Sequence, residues 1–356
     1  MRRAVILAVA TLLIAAAPKP VMPVYPVVQA GRPLSFPADH GAHPQFRTEW
    51  WYLTGWLKTA DAKDLGFQVT VFRTRPAVDQ ANPSRFAPKQ ILFAHAALSD
   101  PAVGRLQHDQ RIARSGFGLA ESSTIDTDIV LDDWRLVRRP DGHFRTHVAG
   151  KDFALDLDLT PTQPVLRQGD NGFSRKGPKI TEASYYFSQP HLAVTGWVTR
   201  GGKRTAVTGE AWLDREWSSA LLDPAAVGWD WTGINFADGS ALTAFQVRDG
   251  AGKALWAGGS WRDPTGALRH LGPGDVTFRT VRVWRSPRTG VTYPVERSLT
   301  LRLPAGLKTL TLRPLFDDQE LDSRRAGGPV YWEGAVTLDG GRGYLELTGY
   351  LSPLKM

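Results

Sequence analysis

The sequence predicts an all-β protein built from two antiparallel β-barrels. Segments of five to nine residues rich in β-branched and aromatic side chains recur along the chain and end at Gly, Pro, Asp or Asn. Dipeptides typical of tight hairpins stand between these segments. After the first apolar stretch, no segment keeps an apolar helical face over twelve residues. The stretch Ile112 to Leu119 alone is expected to form a turn or two of helix.

The individual strands follow from the same pattern. FALDLDL alternates apolar and polar residues cleanly from Phe153 to Leu159. Alternation of this kind is typical of a strand with one buried face. The other predicted strands are Phe67 to Phe72, Leu192 to Val198, Ala241 to Val247, Val276 to Trp284, Ser298 to Leu303 and Leu307 to Leu312. The predicted turns are Asp141-Gly142, Gly201-Gly202, Asp238-Gly239, Asp249-Gly250 and Gly340-Gly341.

The first residues have the features of an export signal. Arg2 and Arg3 precede an apolar stretch from Ala4 to Ala17, which ends in small residues suited to cleavage. A membrane anchor would need a longer apolar run than this one. We therefore predict a signal peptide over residues 1–17, a Pro-rich connector over 18–37, and a mature protein that is secreted or periplasmic.

Composition excludes several classes of protein. The chain has no cysteine, so it has neither disulfides nor thiol chemistry. Its net charge is +8 and its pI is about 9.7, but Lys and Arg are interspersed with Asp and Glu rather than grouped in blocks. Scattered charge argues against nucleic-acid binding. Peripheral contact with an anionic membrane surface stays open for a basic exported protein.

A weak internal repeat predicts two related domains. WWYLTGWL, followed by GFQVTVFR, is echoed by GWDWTGINF and ALTAFQVR. SYYFSQPHLAVTGWV, leading to GEAWLDREW, is echoed by PVYWEGAVTL and GYLELTGY. The predicted domains span residues 38–222 and 223–356. Barrels of about eight strands either fill with side chains or hold one ligand.

Two segments combine bulky aromatic and ionisable residues. They are HGAHPQFRTEWWYLTGWL, from His40 to Leu57, and GEAWLDREW, from Gly209 to Trp217. Charged groups are seldom buried without partners, so such segments usually face a pocket. We expect the inner walls of the barrels to be rich in indoles and to enclose these acidic groups.

Asp214 and Glu216 are the predicted catalytic residues. Alternation along a strand places them on one face with Trp212, while Arg215 shares the other face with Leu213 and Trp217. A carboxyl in an apolar pocket is driven toward its neutral form and becomes a proton donor, while a second carboxylate orients water. The alternative is structural: one of these acids pairs with Arg47 or Arg215 at the boundary between the barrels.

His40, His43 and Asp39 have a spacing that would suit a metal if His95 or Glu49 supplied a further ligand. The favoured interpretation is a loop held by hydrogen bonds from these side chains, with a place at the rim of the pocket. The predicted site contains no metal and no cofactor.

The aromatic residues are candidates for contact with an elongated apolar ligand, because indoles bury a large area and keep one donor. Since Trp50 and Tyr52 face one side of their strand and Trp51 the other, about half of them belong to a core or an interface. At the C-terminal end, Gln319, Glu320, Tyr331, Trp332 and Glu333 indicate either a second site or a seam between the domains. The remaining candidates include Trp56, Trp229 and Trp231.

Several of these motifs resemble those of the AttH-type predicted secreted hydrolases, a family of double lipocalin-like proteins related to carotenoid hydratases. The similarity runs through FPADHGAHPQFRTEWWYLTGWL, SYYFSQP, GEAWLDREW, GWDWTGINFADG, WRSPRTGVTYPVE, DDQEL and YWEGAV. It implies two calycin-type barrels with a space for an isoprenoid-like or acyl molecule. It also implies that Asp214 matches the acid of a Tyr-x-Asp pattern, with Trp212 in place of the tyrosine and with Tyr185 and Phe187 on the strand that completes the pocket.

The resulting hypothesis is a lipophile-binding protein with cofactor-free acid and base chemistry of the hydratase or hydrolase type. The alternative is a periplasmic carrier that works with an ABC-type export complex, as the resemblance suggests. No G-x-S-x-G motif supports a serine hydrolase. The full set of predicted ligand-binding residues is His40, His43, Arg47, Glu49, Trp50, Tyr52, Tyr185, Tyr186, Phe187, Trp212, Arg215, Trp217, Trp229, Trp231, Gln319, Tyr331 and Glu333.

Overall fold

The computed structural model describes residues 20–220 and 222–354, and within them the protein is all-β, as predicted. Two 3₁₀ helices, Ala38–His40 and Arg324–Ala326, are the only helices in these ranges. In the same ranges no helix has the length and apolarity needed to cross a membrane. The predicted signal peptide lies outside the described residues.

Thirteen strands form the first antiparallel sheet, in the order β4-β3-β2-β1-β13-β12-β9-β8-β7-β6-β5, with β10 and β11 pairing to β12. The longest are β12 and β13, which join in one hairpin. The strands are β1 (Thr48–Thr59), β2 (Asp64–Thr74), β3 (Ile91–Ser99), β4 (Gln107–Arg114), β5 (Ala120–Ser122), β6 (Asp128–Leu131), β7 (Trp134–Arg138), β8 (Phe144–Ala149), β9 (Phe153–Pro161), β10 (Leu166–Arg167), β11 (Phe173–Arg175), β12 (Ala183–Arg200) and β13 (Lys203–Ser218).

Ten strands form the second sheet, in the order β17-β16-β15-β14-β23-β22-β20-β19-β18, with β21 pairing to β22. In both sheets the first strand lies between its hairpin partner and the last strand, so the strand order repeats. The strands are β14 (Ala226–Phe236), β15 (Ala241–Asp249), β16 (Ala254–Arg262), β17 (Leu268–Leu271), β18 (Val276–Arg285), β19 (Thr292–Leu303), β20 (Gly306–Pro314), β21 (Glu320–Asp322), β22 (Val330–Leu338) and β23 (Gly341–Leu347).

Each sheet curls around its own apolar core. In the first sheet β4 and β6, from opposite ends of the strand order, come back into contact, and in the second β16 meets β18. Inward-facing residues such as Trp51, Leu53 and Leu213 fill the first barrel. Leu242, Leu299 and Leu345 belong to the cluster that fills the second. Of the two predicted alternatives, a barrel filled with side chains or a barrel that holds a ligand, the structure shows the first.

The predicted strands and hairpin turns are confirmed at each named position. The predicted helical turn at 112–119 is wrong: residues 112–114 end β4, and a turn follows at 117–119. Ile112 pairs with Phe93 of β3, and this cross-strand pairing outweighs a weak local helical pattern.

Candidate functional site

The two barrels meet along a layer of aromatic and polar side chains that we call the seam. It lies between the outward faces of β1, β12 and β13 and those of β14, β15, β22 and β23. Because side chains alternate along a strand, Trp51 enters the first barrel while Tyr52 enters the seam. The buried apolar members of the seam are Tyr52, Trp56, Leu166, Trp212, Trp231, Ala241, Phe245, Val247, Ala335 and Tyr344.

The predicted catalytic acids belong to the seam and not to a barrel interior, which corrects the expectation of acid-enclosing inner walls. Leu213 points into the first barrel, so its neighbour Asp214 must point outward. The second barrel covers that outer face, and Asp214 and Glu216 are only 3% and 5% exposed. The predicted sharing of one face by Trp212, Asp214 and Glu216 is confirmed, because Trp212 Nε1 donates a 2.6 Å hydrogen bond to Asp214.

Asp214 accepts three hydrogen bonds and has no cationic partner among the described residues. The Tyr186 hydroxyl donates to Oδ2 at 2.6 Å, and Ser188 Oγ donates to Oδ1 at 2.5 Å. Burial raises the pKa of Asp214 to about 7, although hydrogen bonds from Ser188, Tyr186 and Trp212 act in the opposite direction. A carboxyl with such a pKa exchanges its proton near neutrality.

Glu216 has a different environment. Lys176 Nζ lies 3.1 Å from its Oε1, and Ser184 Oγ donates to the same oxygen. Lys176 also lies over the rings of Tyr186 and Phe245, 4.5 and 4.4 Å from their centroids. One of the two predicted acids therefore does form an ion pair. Its cation is Lys176, from the segment before β12, and not Arg47 or Arg215.

A third seam acid, Glu346 on β23, was not identified from the sequence. Trp229 Nε1 donates a 2.7 Å hydrogen bond to its Oε2. Burial raises the pKa of Glu346 to about 7, and the charges of Asp214 and Glu216 add to the effect. Its position in the repeat was a usable signal, since GYLELTGY is the counterpart of GEAWLDREW.

Of the C-terminal set, Gln319, Tyr331 and Glu333 belong to the seam, as the favoured interpretation held. Trp332 instead packs in the core of the second barrel, and Glu320 accepts bonds from Ser286 and Thr289 of the β18–β19 connection. Gln68 Nε2 donates to Glu333 Oε2 at 2.6 Å, and Tyr331 OH lies 2.8 Å from His95 Nδ1. Burial raises the pKa of Glu333 well above its usual range. The Tyr52 hydroxyl and Glu333 Oε1 are buried, and neither has a hydrogen-bond partner among the described residues. Further along, Ser99 Oγ donates to Gln319.

The other predicted site residues form a separate group at the end of the first barrel. Arg215 binds Glu49, which also binds Arg73. His43 contacts Asp39 at 3.0 Å and Glu49 at 3.4 Å. Trp51 Nε1 and Thr127 both donate to the His40 carbonyl. Within residues 20–220 and 222–354 no three His, Cys, Asp or Glu side chains are grouped as metal ligands.

Tyr185, Phe187 and Trp217 face away from the seam. They pack with Val28 and Leu34 of the N-terminal segment. Trp217 also stacks on His43 at 3.8 Å, and Arg47 lies over Tyr25 at 5.5 Å. The structure therefore divides the predicted residues. Those that join the acids in the seam are Trp50, Tyr52, Trp56, Tyr186, Trp212, Trp229, Trp231, Gln319, Tyr331 and Glu333, and the others lie outside it.

Two crevices reach the seam from solvent. The first, the glycine crevice, has a volume near 410 Å³ and is lined by Trp56, Trp212, Asn235, Arg342, Tyr344 and several glycines. The second, the tryptophan crevice, has a volume near 450 Å³ and is lined by Gln168, Phe173, Arg175, Ile180, Phe245 and Trp256. Both volumes fit a small-molecule site.

Asp214 lines neither crevice: one side chain separates it from the glycine crevice and two separate it from the tryptophan crevice. Trp212 separates it from the glycine crevice. On the other side, Gln168 donates a 2.8 Å hydrogen bond to Ser188, which in turn donates to Asp214. A ligand in the glycine crevice would reach the carboxyl only if Trp212 moved, and one in the tryptophan crevice only if Gln168 and Ser188 moved.

Comparison with known proteins gives one family and several similar folds. The sequence profile of the family described as AttH-like matches residues 27–350. A solved structure provisionally named AttH, from Nitrosomonas europaea, is 53% identical, with a TM-score of 0.85, and covers 92% of this chain and 100% of its own. A search of curated proteins finds no match.

Two more distant structures share the fold. Kievitone hydratase from Nectria haematococca has a TM-score of 0.66 at 15% identity and covers 94% of this chain and 98% of its own. CghA has a TM-score of 0.50 at 14% identity and covers 87% and 90%. At these identities the similarity concerns the fold alone.

Proposed function

Because this chain belongs to the AttH-like family, we propose that it binds a lipophilic small molecule in the seam and adds water to it by acid and base catalysis. Asp214 is the proton donor. The proposed site of action is outside the cytoplasm, after removal of the predicted signal peptide.

The observation that carries the proposal is the isolation of Asp214 from any cation. Most buried carboxylates of this protein face arginine or lysine, as Glu49 and Asp230 do. Asp214 instead accepts bonds from Tyr186, Ser188 and Trp212 and keeps a pKa of about 7. A carboxyl in a structural ion pair stays ionised and does not need a pKa near 7, whereas a general acid that works near neutrality does.

Proton transfer from Asp214 to one carbon of an alkene would leave a carbocation on the other carbon. Trp212 and Tyr186 bond the carboxyl through their N–H and O–H groups, and Trp231 bonds Tyr186, so three electron-rich rings lie beside the acid. Their π faces would stabilise a positive charge placed over them. Water then adds to the cation, and its surplus proton returns to the Asp214 carboxylate. Transfer to a carbonyl oxygen would use the same acid, but the fold shared with kievitone hydratase favours hydration.

The tryptophan crevice is the proposed entry for the substrate. Phe173, Phe245 and Trp256 line it, so its walls suit an isoprenoid-like or acyl chain. Lys176 lies over Phe245 and pairs with Glu216 at its inner side. This pair would orient the water or a polar group of the substrate next to Asp214.

The decisive experiment uses the lipophile that accompanies the protein. Native mass spectrometry of the purified full chain identifies a bound molecule, and organic extraction releases it. The extracted lipid is then incubated with the protein in heavy-oxygen water. We expect the product to gain one molecule of heavy water.

Asp214→Asn is expected to bind the lipid but to lose this incorporation by about a hundredfold or more. Asp339→Asn, at a fully exposed carboxyl of the second barrel, is the matched control and should retain it. Incorporation that persists in Asp214→Asn would refute the role of this acid.

A carrier without turnover, acting with an ABC-type export complex, is the second candidate. It is favoured by one observation: Asp214 lines neither crevice, while the tryptophan crevice is apolar and reaches solvent. Binding of lipid that disappears in Trp256→Ala, together with an absence of heavy-oxygen incorporation by the wild type, would select the carrier.

A further inference from the structure

An exposed aromatic pair projects from the first barrel, away from the site described above. Phe86, in the β2–β3 loop, is 66% exposed, and Phe117, in the β4–β5 connection, is 47% exposed. Their rings stack at 5.2 Å. We call these two residues the aromatic tip. Large apolar side chains that meet in solvent usually mark a contact surface.

Cations surround the aromatic tip. The Arg85 guanidinium lies 5.3 Å from the Phe117 ring, and that of Arg114 lies 5.0 Å from the Phe86 ring. Lys89 is exposed in the same loop. The nearby carboxylates of Asp132 and Asp133 pair with Arg111, whose Nε lies 3.5 Å from Asp132 and 3.4 Å from Asp133. The surface is therefore apolar at its centre and basic at its edge.

An apolar row crosses the first sheet from β4, the strand that precedes Phe117, toward the seam. Ile112, Phe93 and Phe72 stand opposite one another on β4, β3 and β2. Ile112 is exposed, and the rings of Phe93 and Phe72 stack at 4.5 Å. Phe72 reaches His95 at 5.7 Å, and His95 bonds Tyr331 of the seam.

From this arrangement we propose that the aromatic tip docks the protein on an anionic lipid surface. Exposed aromatic rings enter the boundary between headgroups and acyl chains, while the flanking Arg and Lys attract anionic headgroups. The full sequence carries a net charge of +8, and +6 remains once Arg2 and Arg3 leave with the predicted signal peptide, which provides long-range attraction of the same sign. A lipophilic molecule leaving the membrane at this point would meet the apolar row first.

Vesicle sedimentation tests the proposal with the full chain. Vesicles of pure phosphatidylcholine are compared with vesicles of phosphatidylcholine and phosphatidylglycerol in equal amounts. We expect binding to the anionic vesicles only, and a loss of most of it at about 0.5 M salt, where charges are screened.

The double variant Phe86→Ser with Phe117→Ser should bind anionic vesicles at least about fivefold more weakly. Its matched control is Val281→Ser with Val283→Ser, which removes two exposed apolar side chains from β18 of the second barrel. Equal loss in both pairs, or no binding of the wild type to anionic vesicles, overturns the proposal.

A fluorescent label tests membrane docking without removing both aromatic rings at once. The chain has no cysteine, so Phe86→Cys and Val281→Cys each carry one environment-sensitive fluorophore. Anionic vesicles should shift the emission at position 86 to the blue and leave position 281 unchanged. A shift at position 86 that follows protein concentration without vesicles would indicate self-association and would contradict membrane docking.

Discussion

The Tyr186 hydroxyl donates a 2.6 Å hydrogen bond to Asp214 across two paired strands. Tyr186 stands opposite Glu216 in the register, so this bond runs diagonally from β12 to β13. Trp231 Nε1, from the second barrel, donates to the same hydroxyl at 3.1 Å. Asp214 is thus connected to both barrels through one tyrosine, and its titration reports on the closure of the seam.

The first prediction concerns the stability of Asp214→Asn. Burial raises the pKa of Asp214 from 3.8 to about 7, so between these values the folded chain holds a proton that the unfolded chain releases. The free energy of unfolding of the wild type must therefore fall as pH rises through this window. Asp214→Asn has no carboxyl to titrate at this position, so its free energy of unfolding does not fall in this way. Across this pH window the variant should therefore gain up to about 4 kcal/mol of stability relative to the wild type.

Urea denaturation at about pH 4 and about pH 8 measures this difference. Asp339→Asn serves again as the control, because this carboxyl is fully exposed. If the difference between Asp214→Asn and the wild type is the same at both pH values, Asp214 is ionised in the folded protein.

The second prediction separates two neighbouring tyrosines. The hydrogen bond from Tyr186 lowers the pKa of Asp214 against the larger effect of burial. Tyr186→Phe should raise the pKa of Asp214 further, by about one unit. Carboxyl carbon NMR of labelled aspartate follows the titration directly. Tyr185→Phe, whose hydroxyl bonds the Gln29 backbone on the opposite face, should leave it unchanged.

Alternation along β13 was sufficient to place Trp212, Asp214 and Glu216 together, since that relation depends only on the period of a strand. The sequence of this segment did not predict which face of β13 enters the barrel, because aromatic and ionisable residues occupy both faces. Nothing in the sequence predicted that Lys176 would pair with Glu216. This lysine comes from an irregular segment whose position is fixed by tertiary packing.

The third prediction concerns space in the seam. A Cβ added at Gly233 would lie 2.6 Å from the Trp231 ring and 3.1 Å from the Trp212 ring. Gly233→Ala should therefore displace these indoles and cost about 1–3 kcal/mol. Urea denaturation and near-UV circular dichroism report both effects. Gly274→Ala, where nothing lies within 4 Å of the new Cβ, is the control, and equal changes in both variants would contradict the argument.

The fourth prediction concerns a histidine that joins the barrels. His191 Nδ1 lies 2.5 Å from Glu210, and Nε2 lies 2.9 Å from the Ser240 carbonyl. Burial lowers the pKa of His191, but its bonds to Glu210 and Ser240 outweigh burial and raise it above 6.5. Its stabilising effect is therefore complete below about pH 6.5 and is lost as pH rises through the folded pKa.

His191→Asn is the appropriate variant, because asparagine tolerates the positive φ of 51° at this position. It should cost roughly 1 kcal/mol at about pH 5 and less at about pH 9, as measured by urea denaturation. His143→Asn, at a half-buried histidine of the β7–β8 turn, is the control. A cost that grows as pH rises would mean that His191 is neutral in the folded protein.

The repeated strand order has placed similar ion networks in both barrels. Glu49 on β1 binds Arg73 and Arg215, and Asp230 on β14 binds Arg248 and Arg297. In each barrel a carboxylate of the first strand holds two guanidinium groups inside. Each of these carboxylates is thus buried against two cations, an arrangement that Asp214 lacks.

The fifth prediction follows from this contrast. Although burial raises the pKa of Glu49, Arg215 is the largest influence that holds it below its usual range. Arg215 also lies 3.9 Å from the Trp51 ring, so Arg215→Met retains part of the packing but removes the charge. We expect a loss of about 3–5 kcal/mol in urea denaturation, because Glu49 stays buried with one guanidinium fewer.

The double variant Glu49→Gln with Arg215→Met should not recover this loss, because it leaves the buried Arg73 guanidinium without its carboxylate. Arg313→Met, at a half-exposed surface arginine, is the control and should change stability little. A double variant more stable than Arg215→Met would contradict the argument, because it would show that the buried Arg73 does not need Glu49.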